Sequence, residues 1–405
     1  MRATSTIPKS DAARILSTAS WIAKKRGDAA GARRLSDESF ALASKPPADE
    51  TMLFAAYQQR GTAAKMAHDY PAAVDNYGKA LALSLKLYGR DDQDTMASEQ
   101  LLGTALFNQT RFAEAAQHLQ AALSASTKVF GETNARTLRI AEMIALNDTE
   151  AGHIDEAQRR LEAMLATIRN ASPLDDDLLA EVQLNYAELL TARGRLDEAE
   201  SLLHQVQTAV GKHAGSAPDE EAEISDALGY VFVLRADVAG AESQLRSSLA
   251  TLQAAHVDDV ALVQAHLAEL SLARNAYEDA LRDADSACDN ARSSNKAESL
   301  SGAYAHYVRA SALHALLRDT EAEAELRTAL RIYAHIVPPD GLHPFSADAR
   351  FLLGTLLSAR DDSKDEAARL FREAVDLRTV QLGPAHPKTL LAQTALRTAG
   401  NRGRQ

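Results

Sequence analysis

The chain has 405 residues, a formal net charge of −12, and a composition that is 46% hydrophobic but only 5% aromatic. An acidic balance argues against nonspecific nucleic-acid binding, which needs a basic surface. Few aromatics with much alanine and leucine fit helix-on-helix packing rather than a sandwich or barrel, and no run of 18 apolar residues offers a membrane span.

Residues 1–10, MRATSTIPKS, hold no apolar stretch for a signal-peptide core and read as a disordered N-terminus. A solenoid is expected over 11–400. Its first part, 11–50, reads as a degenerate capping repeat that turns at Gly27-Asp28 and carries Ser20 where later copies have glycine. Trp21, the only tryptophan, lies in it and either shields the end of the core or marks a missing upstream neighbour. Repeats then fill 51–380. In the clearest two, Gly61, Tyr70, Ala73, Tyr77, Ala80 and Gly89 recur 42 residues later as Gly103, Phe112, Ala115, Leu119, Ala122 and Gly131. Self-similarity at this period means stacked helix pairs, none of which buries its apolar face alone. Gly61, Gly103 and the alanines let helix axes come close, while Phe112, Leu119 and Leu102 fill the remaining space. Gly89 and Gly131 should close helices, and Thr95 and Thr137 should cap the helices that follow.

The alanine that opens each second helix runs through the chain as Ala32, Ala73, Ala115, Ala157, Ala199, Ala241, Ala280, Ala322 and Ala367, at intervals of 41, 42, 42, 42, 42, 39, 42 and 45. Nine repeats follow. The fourth and fifth turn at Gly152 and Gly194, with 172–176 as a loop between them. The stretch 211–219, GKHAGSAPD, reads as another loop, after which Leu228-Gly229 matches Leu102-Gly103. The eighth repeat spans about 296–337, and 338–344, rich in proline, forms a stiff connection. After a link at 383–387, a capping helix is expected at 388–398, with 401–405 as a basic, disordered tail.

This pattern resembles the tetratricopeptide repeat. The longer period, with Leu-Tyr-Gly at 87–89, Val-Phe-Gly at 129–131 and Leu-Gly-Pro-Ala-His-Pro-Lys-Thr at 382–389, is similar to the kinesin-light-chain type. The resemblance implies an all-α right-handed superhelix, an α-solenoid whose concave surface holds ligands. For function it is weak, because the scaffold hosts many tasks.

Searching for chemistry yields little. The paired carboxylates Asp155-Glu156, Asp197-Glu198 and Asp365-Glu366 sit at helix N-termini, where the macrodipole favours negative charge by about 0.3–1 kcal/mol. Twelve histidines are dispersed without a zinc pattern, and His306 and His314 read as imidazoles lacking a carboxylate partner. Cys288, the single cysteine, reads as a small buried hydrophobe in a cytoplasmic protein. Gly211-Lys212 lacks the rest of a phosphate loop. Catalytic residues, metal ligands and cofactors are therefore not expected, and the chain reads as no enzyme.

The inner stripe is the sharper signal. With Gly61 or Gly103 as position 8 of its repeat, positions 2, 5, 9 and 12 of the first helix share the face that lines the groove in tetratricopeptide proteins. Repeats two and three place Gln58, Thr62, Lys65, Gln100, Thr104 and Phe107 there, a neutral polar surface. Repeats four to seven place Glu142, Glu181, Glu188, Glu223, Asp226 and Glu269 there against Arg139, so the groove centre should be negative. Repeats eight and nine add Tyr304, Tyr307, His314, Phe351 and Thr355, with Tyr307 and Phe351 at equivalent positions, an aromatic pocket or simply core. The expected function is a noncatalytic protein–protein interaction scaffold that takes a peptide or helix in this groove, the ligand bearing basic residues beside an aromatic or apolar anchor. No nucleic-acid or membrane partner is expected. Two alternatives stay open: the sensory or regulatory portion of a larger bacterial-type signalling kinase or transcription regulator, and a homo-oligomerisation module.

Overall fold

The alanine frame becomes a succession of helix pairs. The computed structural model describes residues 9–26, 28–170, 175–211, 218–257, 259–294, 296–336 and 343–402. Among them there is no strand, and within each unit most helices pack on the helix before or after them in the chain. The chain divides into two compact units, residues 1–147 and 148–405.

Unit 1 is built from α1 (Lys9–Lys25), α2 (Ala29–Ala43), α3 (Glu50–Met66), α4 (Tyr70–Leu87), α5 (Gln93–Asn108), α6 (Phe112–Phe130) and most of α7 (Ala135–Glu150). The close approaches fall where small residues were expected. Ala73 and Ala115 are fully buried, and a Cβ built on Gly103 would lie 2.7 Å from Leu119 Cγ, so only glycine lets α5 and α6 meet there. Tyr77 stands against Gly61 in the same way and is fully buried. On α1, Ile15, Trp21 and Ile22 are exposed.

The caps differ from expectation. The N-cap of α5 is Asp92, whose carboxylate accepts from Asp94 N at 2.8 Å, and Asn134 Oδ1 accepts from Arg136 N at 3.0 Å at the start of α7. Thr95 and Thr137 lie inside those helices and are buried, Thr137 hydrogen-bonding Ser126 Oγ at 2.8 Å. An aspartate or asparagine just upstream of each threonine captures the unpaired N–H groups first.

Unit 2 continues with α8 (Ile154–Arg169), α9 (Asp176–Ala192), α10 (Leu196–Val210), α11 (Pro218–Leu234), α12 (Val238–Ala254), α13 (Ala261–Ala273), α14 (Tyr277–Ser293), α15 (Leu300–Ala315), α16 (Asp319–Ile336), α17 (Pro344–Leu357), α18 (Lys364–Leu382) and α19 (Pro387–Arg402). Ala157, Ala199, Ala241, Ala280, Ala322 and Ala367 are fully buried. Most of the expected links at 172–176, 211–219 and 338–344 lies outside the described residues, as do 1–8 and 403–405; at their described ends Asp176 opens α9, Pro218 opens α11 and His343 precedes α17.

The paired carboxylates occupy the first turns of α8, α10 and α18 and also pair between repeats. Arg193 bonds Asp155, Arg235 reaches Asp197 at 2.6 Å and Glu200 at 2.5 Å, and Arg327 reaches Glu366 at 2.9 Å. Such exposed pairs contribute little individually and chiefly fix the register of one helix pair on the next. Cys288 is buried, and burial pushes its thiol up to about 12, which makes it inert as a nucleophile.

Candidate functional site

Unit 2 encloses a cavity of about 310 Å³. One wall comes from first helices of successive pairs. Residues four apart share a helix face, so α9 presents Glu188 and Ala192, α11 presents Asp226 and Tyr230, and α13 presents Leu262 and His266. Glu150, the last residue of α7, extends this wall. The opposite wall is Asp348 of α17, Arg378 and Gln381 of α18, and His386 and Lys388 at the start of α19. A Cβ on Gly194 would lie 3.4 Å from His386 Nε2 and 3.7 Å from Leu382 Cδ2, so the turn between α9 and α10 meets the link between α18 and α19 and closes the cavity's edge. Gly194 holds φ at +71°, which a larger residue adopts only with strain.

The two walls differ in how their charges are settled. On the second, Arg378 donates to Asp348 Oδ1 at 2.6 Å and to the Lys388 carbonyl at 2.8 Å, and Lys388 Nζ reaches Asp348 Oδ2 at 2.9 Å. Burial works to raise the Asp348 carboxyl, but Lys388 and Arg378 outweigh it and hold it below the usual range. The Arg378 guanidinium also lies 4.5 Å from the Phe351 ring centroid. This knot ties α19 to α17 and α18.

The first wall gathers carboxylates. Burial, then the charges of Glu223, Glu150 and Asp226, raise Glu188 well above its ordinary value. Burial raises Glu150 to about 7, opposed by the charge of Lys296. Asp226 is the settled member: His266 Nδ1 lies 3.0 and 3.1 Å from its two oxygens. The His266 ring stacks on Tyr230 at 4.2 Å and meets Tyr304 edge-on at 5.6 Å. Burial alone pushes His343, also in the lining, down to about 4, so it is neutral at pH 7.

Of the residues expected in the groove, the structure brings Glu188 and Asp226 into this cavity, with Glu223 near enough to act on Glu188. Glu269 is raised by burial despite the charge of His266. Tyr304 is buried and stacks on Tyr307 at 6.0 Å. Tyr307 and Phe351 pack on one apolar cluster with Leu313, Leu353 and Phe371. Glu181 is exposed beside Glu220. His314 turns to Asp319 at 2.7 Å and His306 to Glu325 at 2.5 Å; both have the carboxylate partner that the sequence did not suggest, each supplied by the second helix of the pair. Among the described residues no group of three metal-ligating side chains occurs.

In unit 1 several stripe residues find hydrogen-bond partners within the unit. Gln58 donates to Ser98 Oγ at 3.1 Å, Thr62 Oγ1 and Tyr77 Oη lie 3.1 Å apart, and Thr104 donates to the Gln100 carbonyl at 2.9 Å. Glu142 is partly buried on α7.

Sequence reasoning missed Glu150, Tyr230, His266, His343, Asp348, Arg378, His386 and Lys388 as lining residues. Two carried a usable signal: with Gly229 at position 8 Tyr230 is at position 9, and with Gly354 at position 8 Asp348 is at position 2, both on the inner stripe. Arg378, His386 and Lys388 belong to a second helix and a link, which that stripe does not include.

The family model for the tetratricopeptide repeat matches residues 51–128 and 94–170. No curated protein sequence matches the chain. Among solved structures, the chain is similar to a Rap protein complexed with Competence and Sporulation Factor, at 14% identity over 75% of this chain and 80% of that one, with a TM-score of 0.60. It is similar to the apo form of the quorum sensor NprR from B. thuringiensis, at 13% identity over 81% of this chain and 89% of that one, TM-score 0.59. Kinesin-light-chain-type, nearly identical TPR-like repeats from Podosopora anserina match at 20% identity over 51% of this chain and 98% of that one, with a TM-score of 0.46. No helix among the described residues is long and apolar enough to cross a membrane.

Proposed function

Because this chain is a tetratricopeptide repeat protein, we propose that it is a noncatalytic protein-interaction scaffold and that unit 2 takes a peptide segment of its partner in the cavity between α9, α11, α13 and α18. The observation that carries this reading is the cavity itself: successive helix pairs contribute to one lining, and that lining holds carboxylates, aromatic rings and the exposed apolar Leu262 together. Pockets of about 300–1,000 Å³ with a mainly apolar lining and a few placed polar groups are the usual form of a ligand site. The similar Rap protein is complexed with Competence and Sporulation Factor and the similar NprR is a quorum sensor, which supports a binding role for this fold here.

Leu262 gives the test. It is 41% exposed and lines the cavity, so Leu262→Trp should fill the space without opening the core. Peptides selected from a displayed library on the full chain should lose binding to Leu262→Trp and keep it with Thr104→Ala in unit 1. Selected peptides that bind both variants equally would place the ligand elsewhere.

A further inference from the structure

The repeat frame gives each first helix a second packing face. Positions 3 and 10 lie one above the other, and on every first helix from α3 to α17 both are at most 9% exposed. The second helix of the preceding pair covers them: Ile140 clusters with Leu119 and Ala122 of α6, and Ile224 and Val231 cluster with Leu203 and Val206 of α10. On α1 these positions are Ile15 and Ile22, which are 56% and 40% exposed. The helix is set in the usual register, because Ser20 at position 8 is buried and donates to the Ala32 carbonyl of α2 at 3.1 Å. The two isoleucines therefore occupy a face that elsewhere in the chain receives a helix.

Position 14, just beyond the end of the first helix, carries an independent mark. There Arg193 pairs with Asp155, Arg235 with Asp197 and Glu200 at 2.6 and 2.5 Å, Arg274 with Glu242 at 2.9 Å, and Arg360 with Glu323 at 2.5 Å. Each of these carboxylates lies near the start of the preceding second helix, so that helix runs antiparallel to the one it covers. Position 14 after α1 is Arg26. It is exposed, and no carboxylate among the described residues pairs with its guanidinium.

We infer that this face of α1 docks a helix of a partner protein, antiparallel to α1, with apolar side chains over Ile15 and Ile22 and an aspartate or glutamate near its N-terminus on Arg26. Exposed apolar residues rimmed by charge mark an interaction surface, and the charge selects the partner. From 9 to 26 the chain places Lys9, Arg14, Lys24, Lys25 and Arg26 against Asp11, within a protein of net charge −12. A second copy fits poorly. Its α19 has no acid in the first turn and carries Lys388 there, and its α1 would bring the same cations, with Asp11 already 3.4 Å from Arg14. The surface belongs to unit 1 and stands or falls separately from the cavity of unit 2.

The chain supplies the probe. On α11 the pair Ile224 and Val231 is covered by α10, so a capped peptide of residues 196–210, LDEAESLLHQVQTAV, offers the same helix in trans. A staple between positions 204 and 208, both exposed in the fold, keeps it helical, since a helix this short is marginal in water. Fluorescence anisotropy of the labelled peptide with the full chain should show saturable binding that Ile22→Asp abolishes and Arg26→Glu weakens roughly fivefold. A peptide carrying Asp197→Lys and Glu200→Lys should bind the parent weakly and regain affinity for Arg26→Glu. Ile22 and Arg26 are exposed, so neither change touches the core, and circular dichroism checks that both variants stay folded. Equal binding to the parent and to Ile22→Asp, or no binding by the stapled peptide, would overturn the inference. Indifference to Arg26→Glu alone would overturn the acidic chemistry of the partner. Sedimentation velocity of the chain by itself should show a monomer; a dimer abolished by Ile22→Asp would give the face to a second copy and overturn the partner assignment.

Discussion

Units 1 and 2 use one repeat frame and fill its inner stripe differently. In unit 1 the stripe residues Gln58, Thr62 and Thr104 are neutral, and each finds a partner on its own or a neighbouring helix. In unit 2 the equivalent stripe gathers Glu188, Glu223, Asp226 and Asp348, and the fold satisfies only some of them. The frame of small residues therefore decides how helices stack, and the stripe decides whether the inner face is finished or left needing a ligand. A region tuned only for stability would not collect carboxylates that raise one another's proton affinity.

That contrast can be broken at several places. The largest effect should come from Arg378→Met, which leaves Asp348 half of its pairing; unfolding in urea should show a loss of about 3–5 kcal/mol, as when one partner of a buried ion pair is removed. An unchanged midpoint would mean that the knot does not hold α19 in place. In unit 1, Gly103→Leu forces side-chain atoms into the space of Leu119 and should cost about 1–3 kcal/mol, with no effect on binding at unit 2.

The third effect is a pH slope. Glu150 and Glu188 have folded values above their unfolded ones, so the folded state holds extra protons between the two; stability should fall as pH rises from about 4.5, the ordinary glutamate value, through about 7, where Glu150 titrates. Glu188→Gln should flatten that decline by an amount on the order of 1 kcal/mol, measured as the difference in unfolding free energy between the two ends of the window. A variant whose stability falls as steeply as the parent's would show that Glu188 is not the burdened group. Smallest of all should be Thr62→Val, which removes the partner of the buried Tyr77 hydroxyl and should cost about 0.5–1.5 kcal/mol at any pH in this range.

The fold was legible because its constraints are local and repeated. A fully buried alanine at each of nine positions, and Gly61 and Gly103 beneath Tyr77 and Leu119, mark helix crossings that no larger residue allows. Less of the candidate site was legible by the same logic: of its lining, only Glu188 and Asp226 were picked out by the positions counted along a helix. Tyr230 and Asp348 obey that count and were passed over. The other wall obeys no short-range rule: His386 and Leu382 meet the Gly194 turn only because the small rotations of successive helix pairs add up, and a helical wheel holds no information about that sum. Thr95 and Thr137 show the reverse error, where a plausible capping residue was outcompeted by Asp92 and Asn134 a few residues upstream.

The most direct test of the central claim, that ligands are taken by unit 2 and not by the equivalent stripe of unit 1, is site-specific photocrosslinking of a library-selected peptide to benzoylphenylalanine placed at Leu262 or at Gln100. Crosslinks at 262 and none at 100 are predicted. Crosslinks at 100 with none at 262 would contradict the account, because the finished face would then be the one that binds.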